Sequence, residues 1–226
     1  MEPSGVPTGR VLLINKPLRW TSFDVVNKIR FKLKTKKVGH AGTLDPLATG
    51  LLIVCVGRMT KRIDEFMGLE KEYTGSFTLG QVTPSYDLET NVEDTRDISH
   101  LTEAMVREAT RSFQGRIQQL PPAHSAIKVG GKRAYEFARK GQPVELSPRE
   151  VEITAFDITE VQFPRVFFRI VCSKGTYIRS IARDFGAALG VGAHLSSLCR
   201  TRIGPHTLEQ ATDINDLTID PPDALT

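Results

Sequence analysis

The apolar residues in the first part of the chain are spaced as in a strand followed by an amphipathic helix. Residues 10–17, RVLLINKP, form an apolar run that ends at a proline, which predicts a β-strand. Thr21 and Asp24 then have the spacing of a helix capping box. The apolar residues behind this box recur at helical spacing: Val25, Val26, Ile29 and Leu33. Three cations of the same helix are expected to face solvent: Lys28, Lys32 and Lys34.

The same reasoning predicts further strands and helices. Residues 72–80, 151–159 and 165–173 are rich in β-branched and aromatic residues, which favours strands. Residues 102–113 and 177–189 carry apolar residues at helical spacing. Because the strands and helices interleave irregularly, the pattern favours an α+β (mixed α/β) fold over a repeated βαβ array.

Residues 121–146 differ from the segments around them. Two prolines open the segment, Gly130 and Gly131 predict a turn, and the stretch after them predicts a short helix that ends at Gly141. We therefore expect a helical hairpin inserted between elements of the sheet. The segment contains five of the chain's cations: Lys128, Lys132, Arg133, Arg139 and Lys140.

Length and composition exclude several classes of protein. The chain has 226 residues, of which 40% are hydrophobic and 25% charged, as expected for a single globular domain over residues 1–226. Its longest apolar run, residues 51–56, is too short to cross a bilayer, and the N-terminus has no signal-peptide pattern. These features predict a cytoplasmic protein that does not bind a membrane.

The cysteines predict neither a disulfide framework nor a metal site. There are three, Cys55, Cys172 and Cys199, and none belongs to a C-x-x-C pair. His194 and Cys199 are isolated from other candidate ligands, whereas a tetrahedral zinc site needs a second pair. We expect buried thiols and no bound metal.

The net charge of +4 conceals an uneven distribution. Residues 28–37 hold six cations and no acid, whereas residues 85–97 hold five acids and one arginine. Other cations are scattered later in the chain: Lys174, Arg179, Arg183, Arg200 and Arg202. Because phosphate binding depends on local clusters of cations, a polyanionic partner is compatible with this small net charge.

Residues 39–54, GHAGTLDPLATGLLIV, are the strongest candidate for a chemical site. Three glycines, His40 and two threonines surround the single carboxylate of Asp45, and the apolar run behind them would anchor the segment in the core. Such a loop could present one carboxylate rigidly. From the residues alone, the alternative is slightly favoured: Asp45 would be a helix N-cap with Pro46 at the first helical position.

A second candidate is the segment SKGTYIR at residues 173–179, which joins a predicted strand to a predicted helix. The start of that helix and Arg179 could face an anion, or Arg179 could lie on a solvated helix turn.

Other catalytic motifs are missing. The chain has no P-loop, no G-x-S-x-G and no H-E-x-x-H, and its S-x-x-K lacks the partner motifs of penicillin-binding enzymes.

Four long motifs follow one another in a specific order. They are GHAGTLDPLATGLL at 39–52, KEYTGSFTLG at 71–80, PPAHSAIKVGGKRAYEFARKG at 121–141 and SKGTYIRSIARDFG at 173–186. Together they resemble the bacterial tRNA pseudouridine synthases of the TruB family over nearly the whole chain. The resemblance implies the pseudouridine synthase fold, with a central mixed, largely antiparallel sheet flanked by helices and split by a catalytic cleft. Residues 121–146 would be its helical thumb.

The resemblance implies an isomerase that needs no metal or organic cofactor. In this reaction the bond between uracil N1 and ribose C1′ breaks, the uracil turns in its pocket, and C5 bonds to C1′. One carboxylate suffices as nucleophile or base, and the resemblance places this role on Asp45. The implied target is uridine 55 in the T-loop of tRNA, which must flip out of the loop to reach the pocket.

Other side chains acquire roles through the same resemblance. Tyr73 would stack on the target uracil, and Arg179 would pair with Asp45 and keep it ionised. His40 would fill the space that the flipped base leaves, and Lys16 would brace the loop that carries Asp45. Three residues would line the uracil pocket: Lys174, Tyr177 and Leu198. The thumb would place its cations against RNA phosphates: Lys128, Lys132, Arg133, Arg139 and Lys140.

The implied partner is the T-stem-loop of tRNA, bound by a monomer that requires no protein partner. Family members commonly carry a C-terminal RNA-binding PUA domain, and the residues after the last motif are too few for one, so we expect none here. Two alternatives remain, a guide-RNA-dependent synthase of the box H/ACA type and a non-catalytic tRNA-binding or tRNA-folding module. The presence of Asp45, Tyr73, Tyr177 and Arg179 together favours an active enzyme.

Overall fold

A computed structural model describes residues 9–218 except 124, 126–127, 130, 135–136, 138–141 and 143–145. Its strands are β1 (Arg10–Lys16), β2 (Val38–His40), β3 (Ala48–Val56), β4 (Lys71–Leu79), β5 (Gln81–Val82), β6 (Asp94–Thr95), β7 (Gly115–Gln119), β8 (Lys128–Val129), β9 (Lys132–Arg133), β10 (Arg149–Gln162), β11 (Arg165–Cys172), β12 (Ala193–Ile203), β13 (His206–Thr207) and β14 (Thr212–Asp213). Its α-helices are α1 (Ser22–Leu33), α2 (Ile63–Gly68), α3 (Glu103–Ala109) and α4 (Ile178–Ala188). Short 3₁₀ segments cover Gly57–Arg62, Thr110–Phe113 and Leu208–Gln210.

The chain forms two compact units. The first contains Met1–Tyr73 and Cys199–Thr226, and the second contains Thr74–Leu198. The chain passes from one unit to the other within β4 and again within β12.

In the first unit, β1 and β3 pair antiparallel along the whole of β1, from Arg10 opposite Val56 to Lys16 opposite Gly50. Strand β2 pairs antiparallel with β3, and β14 pairs parallel with β1. Alternate residues of β3 belong to two separate apolar clusters, so both faces of this strand are buried. Burial on both faces explains why β3 is apolar over nearly its whole length instead of alternating with polar residues.

Helix α1 confirms the predicted capping box. The Thr21 side chain accepts a hydrogen bond from the Asp24 backbone N–H, and the Asp24 carboxylate accepts one from the Thr21 backbone N–H. The four predicted apolar residues are buried: Val25, Val26, Ile29 and Leu33. They pack against β3 residues and against Ile214 and Leu217 near the end of the described chain.

The cations of α1 do not all face solvent as predicted. Lys28 is half-buried, with its ammonium group 5.2 Å from the centre of the Trp20 ring and 2.7 Å from the Asn215 side-chain oxygen. Lys32 is exposed but donates a hydrogen bond to the Leu217 carbonyl. The packing of residues 214–217 against α1, which the periodicity of the helix could not indicate, draws these two lysines toward it. Lys34 is exposed as predicted.

In the second unit, β10 lies between β7 and β11 and pairs antiparallel with both. Five aromatic rings form the centre of its core: Phe77, Phe113, Phe156, Phe168 and Phe185. Helix α4 contributes Phe185 to this core and also buries Ile178, Ile181 and Ala182, as its apolar spacing predicts. The parallel β1–β14 pair among antiparallel pairs confirms the mixed, largely antiparallel α+β class.

The insertion at 121–146 is described in part. Strands β8 and β9 pair as a β-hairpin, Lys128 with Arg133 and Val129 with Lys132, and Gly131 in the turn has a φ of +84°. Helical backbone follows at Ala134 and Phe137. The segment thus begins with two short strands that the predicted helical hairpin did not include. Arg139 and Lys140 lie outside the described residues.

None of the helices in the described ranges is long and apolar enough to traverse a bilayer.

Candidate active site

Asp45 lies in a loop, not at the start of a helix. Its carbonyl accepts a hydrogen bond from the Ala48 N–H at 3.0 Å, which closes a turn over Pro46 and Leu47, and β3 begins at Ala48. The N-cap alternative is therefore wrong. Proline suits the second position of such a turn because its fixed φ is already the one required there. Asp45 itself is partly exposed.

The residues on either side of Asp45 are held by hydrogen bonds. We call residues 41–47 the Asp45 loop. The hydroxyl of buried Ser22, the first residue of α1, accepts from the Leu44 N–H at 2.9 Å and donates to the Leu44 carbonyl at 3.2 Å. The Arg19 N–H donates to the Pro46 carbonyl at 2.7 Å. Because both sequence neighbours of Asp45 are held, the backbone that carries its carboxylate has a well-defined position.

Lys16 is buried and contacts residues 17–20, the segment whose Arg19 N–H binds the Pro46 carbonyl. Its ammonium group donates to the carbonyls of Pro17 at 2.9 Å and Trp20 at 2.6 Å. The pKa of Lys16 is lowered from 10.5 to about 8, chiefly by burial; the Asp45 carboxylate opposes this shift and the Arg200 cation adds to it. A buried ammonium group that donates to two carbonyls fixes the turn at residues 17–20.

The lowered pKa of Lys16 predicts a pH-dependent stability. Between pH 8 and 10.5 the unfolded chain holds a proton on Lys16 that the folded chain has released, so the free energy of unfolding rises with pH. We expect the stability of the protein relative to Lys16→Met to rise by up to about 3 kcal/mol across this range. Urea unfolding of both proteins at pH 7.5 and about pH 10 measures this change. The comparison with Lys16→Met cancels the contributions of the other titrating groups. A difference independent of pH would contradict the prediction.

His40 ends β2, immediately before the Asp45 loop. The pKa of His40 is lowered chiefly by burial and secondly by the Arg200 cation, although a contact with the backbone of Gly42 opposes both. At neutral pH the imidazole is therefore uncharged. A neutral, half-buried ring is compatible with a residue that packs against a base, the role that the sequence resemblance implies.

Tyr73 lies in β4 and is 9% exposed. It is the last residue of the first unit before the chain enters the second. It belongs to the same unit as Lys16, His40 and Asp45. The other residues predicted for the pocket belong to the second unit: Lys174, Tyr177, Arg179 and Leu198. Leu198 is half-buried in β12.

The SKGTYIR segment forms the predicted connection from β11 to α4. Gly175 has a φ of +82°, in the left-handed region that glycine adopts readily, and Lys174 beside it is exposed. Tyr177 is the N-cap residue of α4. Its backbone is held on both sides by the Gln119 side chain, which accepts from the Tyr177 N–H at 2.8 Å and donates to its carbonyl at 3.1 Å. The guanidinium of Arg149 lies 5.6 Å from the centre of the Tyr177 ring.

Arg179 is buried, so the interpretation as a solvated helix residue is wrong. It is 5% exposed, its Nε lies 3.6 Å from a carboxylate oxygen of Asp87, and one Nη donates to the Ser85 carbonyl at 3.3 Å. Asp87 is equally buried and accepts from the Glu89 N–H at 2.9 Å. The acidic segment 85–97 thus contributes a buried partner for Arg179.

Three residues that contact the predicted residues or the Asp45 loop were not identified from the sequence: Asp87 at Arg179, Gln119 at Tyr177 and Arg200 at Gly42. In the sequence Asp87 is one acid of the acidic segment 85–97, and Arg200 is one of several scattered cations. Gln119 precedes two prolines at the end of a short strand and had no distinguishing signal. Among the residues that the structure describes, no cluster of three or more His, Cys, Asp or Glu side chains could hold a metal ion.

The chain belongs to the TruB family of pseudouridylate synthases. Residues 30–178 match the family described as TruB family pseudouridylate synthase (N terminal domain), and residues 179–220 match the tRNA pseudouridylate synthase B C-terminal domain. The chain is 50% identical over 221 residues to the tRNA pseudouridine synthase B of Flavobacterium johnsoniae, covering 95% of this chain and 96% of that protein. It is 56% identical over 207 residues to the protein of the same name from Parabacteroides distasonis, covering 89% and 88%.

Solved structures agree with this assignment. The chain is similar to the crystal structure of a Cbf5–Nop10–Gar1 complex, with a TM-score of 0.73 and 31% identity, covering 94% of this chain and 54% of that one. A structure of an H/ACA RNP bound to a substrate RNA containing 2′-deoxyuridine gives a TM-score of 0.70 at 28% identity, covering 94% and 53%. The chain thus spans about half the length of these solved chains. The protein is an enzyme of the pseudouridine synthase class with the fold expected from its sequence.

Proposed function

We propose that the protein is a stand-alone tRNA pseudouridine synthase that converts uridine 55 of the T-loop into pseudouridine, with Asp45 as its catalytic carboxylate. One observation carries the assignment of Asp45: hydrogen bonds hold the residue before it and the residue after it, while its own side chain stays partly exposed. The relatives named tRNA pseudouridine synthase B support the substrate, since the similarity covers nearly the full length of both chains.

In the proposed reaction Asp45 acts as the nucleophile or base that separates uracil from ribose. The N1–C1′ bond breaks, the uracil turns within the pocket, and a C5–C1′ bond forms. The proton on C5 leaves and N1 gains one, so the product is an isomer of the substrate. Tyr73 stacks on the uracil during this turn and assists removal of the C5 proton. Catalysis by one carboxylate requires that it be held in place, which the hydrogen bonds at Leu44 and Pro46 support.

The other predicted residues act on the RNA. Lys174, Tyr177 and Leu198 line the uracil pocket, and Arg179 keeps the carboxylate of Asp45 ionised. His40 fills the space that the flipped base leaves, which its uncharged imidazole supports. Cations of the thumb bind RNA phosphates: Lys128, Lys132, Arg133, Arg139 and Lys140. The enzyme acts in the cytoplasm as a monomer.

The alternative is a guide-RNA-dependent synthase, which the similarity to the Cbf5 structures favours. The two functions differ in what the protein needs. An enzyme that acts alone modifies naked tRNA, whereas a guide-dependent enzyme requires a guide RNA and protein partners.

The test is incubation of the pure protein with an unmodified tRNA transcript that carries tritium at C5 of its uridines. We expect tritium release without guide RNA, and carbodiimide-primer extension should locate a single pseudouridine at position 55. A transcript with cytidine at position 55 is the matched control and should release none. Tritium release that required guide RNA, or modification at another position, would overturn the proposal.

A further inference from the structure

Arg200 is a buried cation whose guanidinium donates hydrogen bonds to the chain on both sides of Asp45. It lies in β12 and is 1% exposed. Its Nε donates to the Leu51 carbonyl at 2.8 Å, and one Nη donates to the Gly42 carbonyl at 3.1 Å. Gly42 precedes Asp45 and Leu51 follows it. One planar guanidinium therefore connects the chain entering the loop with the chain leaving it.

Two glycines lie against Arg200, Gly42 and Gly50, and the backbone needs each of them for a different reason. A Cβ on Gly50 would lie 2.4 Å from the Arg200 carbonyl oxygen and 2.8 Å from its nitrogen, so only glycine brings β3 this near to β12. A Cβ on Gly42 would make only an ordinary van der Waals contact with the Arg200 guanidinium, at 3.6 Å, so this position favours glycine through its backbone conformation alone. Both glycines also have positive φ, +96° at Gly42 and +100° at Gly50. Close packing of Gly50 on the Arg200 backbone and the left-handed backbone at both glycines thus shape this segment.

A guanidinium suits this position better than an ammonium group. Its donors are fixed in one plane, so two acceptors are held at a defined separation, whereas a lysine side chain presents a single flexible point charge. Arg200 also places a permanent positive charge beside Lys16 and His40, and it lowers the pKa of both. The same side chain therefore holds the geometry of the loop and adds to the lowering of the pKa that burial causes at Lys16 and His40.

We propose that Arg200 is the positioning residue of the Asp45 loop, which holds the catalytic carboxylate in register with the substrate through the carbonyls of Gly42 and Leu51. The proposal rests on the proposed function, because it assumes that Asp45 reacts. In this arrangement the loop has three points of attachment, which are Ser22, Arg19 and Arg200. Loss of the Arg200 attachment frees the Gly42 side of the loop while the Leu44 and Pro46 contacts remain.

Arg200→Lys tests the proposal, because it keeps the charge and removes the fixed pair of donors. We expect kcat to fall by roughly 10- to 100-fold, because a small displacement of a catalytic group lowers the rate by about this much. The dissociation constant for tRNA should change by less than about twofold, since Arg200 is buried and contacts protein carbonyls. Hydrogen exchange of peptides that span residues 41–51 should become faster. Arg200→Gln, which lacks the charge, should lower kcat at least as much.

Arg202→Lys is the matched control. Arg202 lies two residues further along the same strand, and its guanidinium pairs with Glu70 at 2.9 Å and Glu72 at 3.7 Å. It should leave kcat and loop exchange unchanged. An unchanged kcat in Arg200→Lys, or a loss no larger than in Arg202→Lys, would overturn the positioning role. Asp45→Asn is assayed in the same series, and activity in that variant would instead overturn the proposed function.

Discussion

Asp45→Asn is expected to abolish tritium release from tRNA, with a fall in kcat of about 10⁴-fold or more. Asparagine keeps the size of the side chain but cannot act as a nucleophile or base. The loop should keep its shape, because the bonds that hold it use the backbone of Asp45, Leu44 and Pro46. Binding of tRNA should therefore persist, and single-turnover assays at saturating enzyme measure the chemical step separately from affinity.

Two companion variants make this result decisive. Asp45→Ala should be equally inactive, which excludes conversion of asparagine back to aspartate as a source of residual activity. Asp64→Asn removes an exposed carboxylate from α2 in the same unit and should retain full activity. Release at even one tenth of the normal rate by Asp45→Asn would show that another group performs the chemistry.

Local signals explain why the first strand and helix could be predicted from the sequence. The capping box of α1 needs two residues three positions apart, and the apolar face needs only the helical period, so all of the information lies within residues 21–33. The same holds for α4 and its connection through Gly175. The half-buried position of Lys28 was not predicted, and neither was the hydrogen bond of exposed Lys32, because their partners Asn215 and Leu217 come from the other end of the chain.

The conformation at Asp45 shows where local reasoning stops. An aspartate followed by proline suits both a helix start and a turn, and the neighbouring residues favour neither strongly. The choice is made by β3, which begins at Ala48 and pairs with β1 over seven residues. Pairing between distant segments, not the preference of the dipeptide, therefore decides that Asp45 lies in a loop.

Burial of charge was the least predictable property of the site. Arg179 and Arg200 resemble the exposed cations around them in the sequence, yet both are almost completely buried. A buried cation needs compensating partners, and those of Arg179 come from residues 85–87, in a segment whose acids suggest a solvated surface. Only the folded chain brings these residues together.

The Asp87–Arg179 pair gives the second large effect, on stability. We expect Asp87→Asn to lower the free energy of unfolding by about 3–5 kcal/mol, because it removes a negative charge beside a buried guanidinium without relieving the cost of burying that guanidinium. The substituted amide keeps an oxygen for the Glu89 N–H, so the loss of charge is the main change. Urea unfolding at neutral pH measures the difference.

Asp157→Asn is the control that separates burial from distance. Asp157 lies closer to its partner Arg169, at 3.1 Å against 3.6 Å for Asp87 and Arg179, but its side chain is 56% exposed and that of Arg169 is 41% exposed. Solvent screens such a pair, so its removal should cost less than about 1 kcal/mol. If distance governed these interactions, Asp157→Asn would be the more damaging change. A small effect of Asp87→Asn, equal to that of Asp157→Asn, would show that other groups compensate the buried Arg179 charge fully.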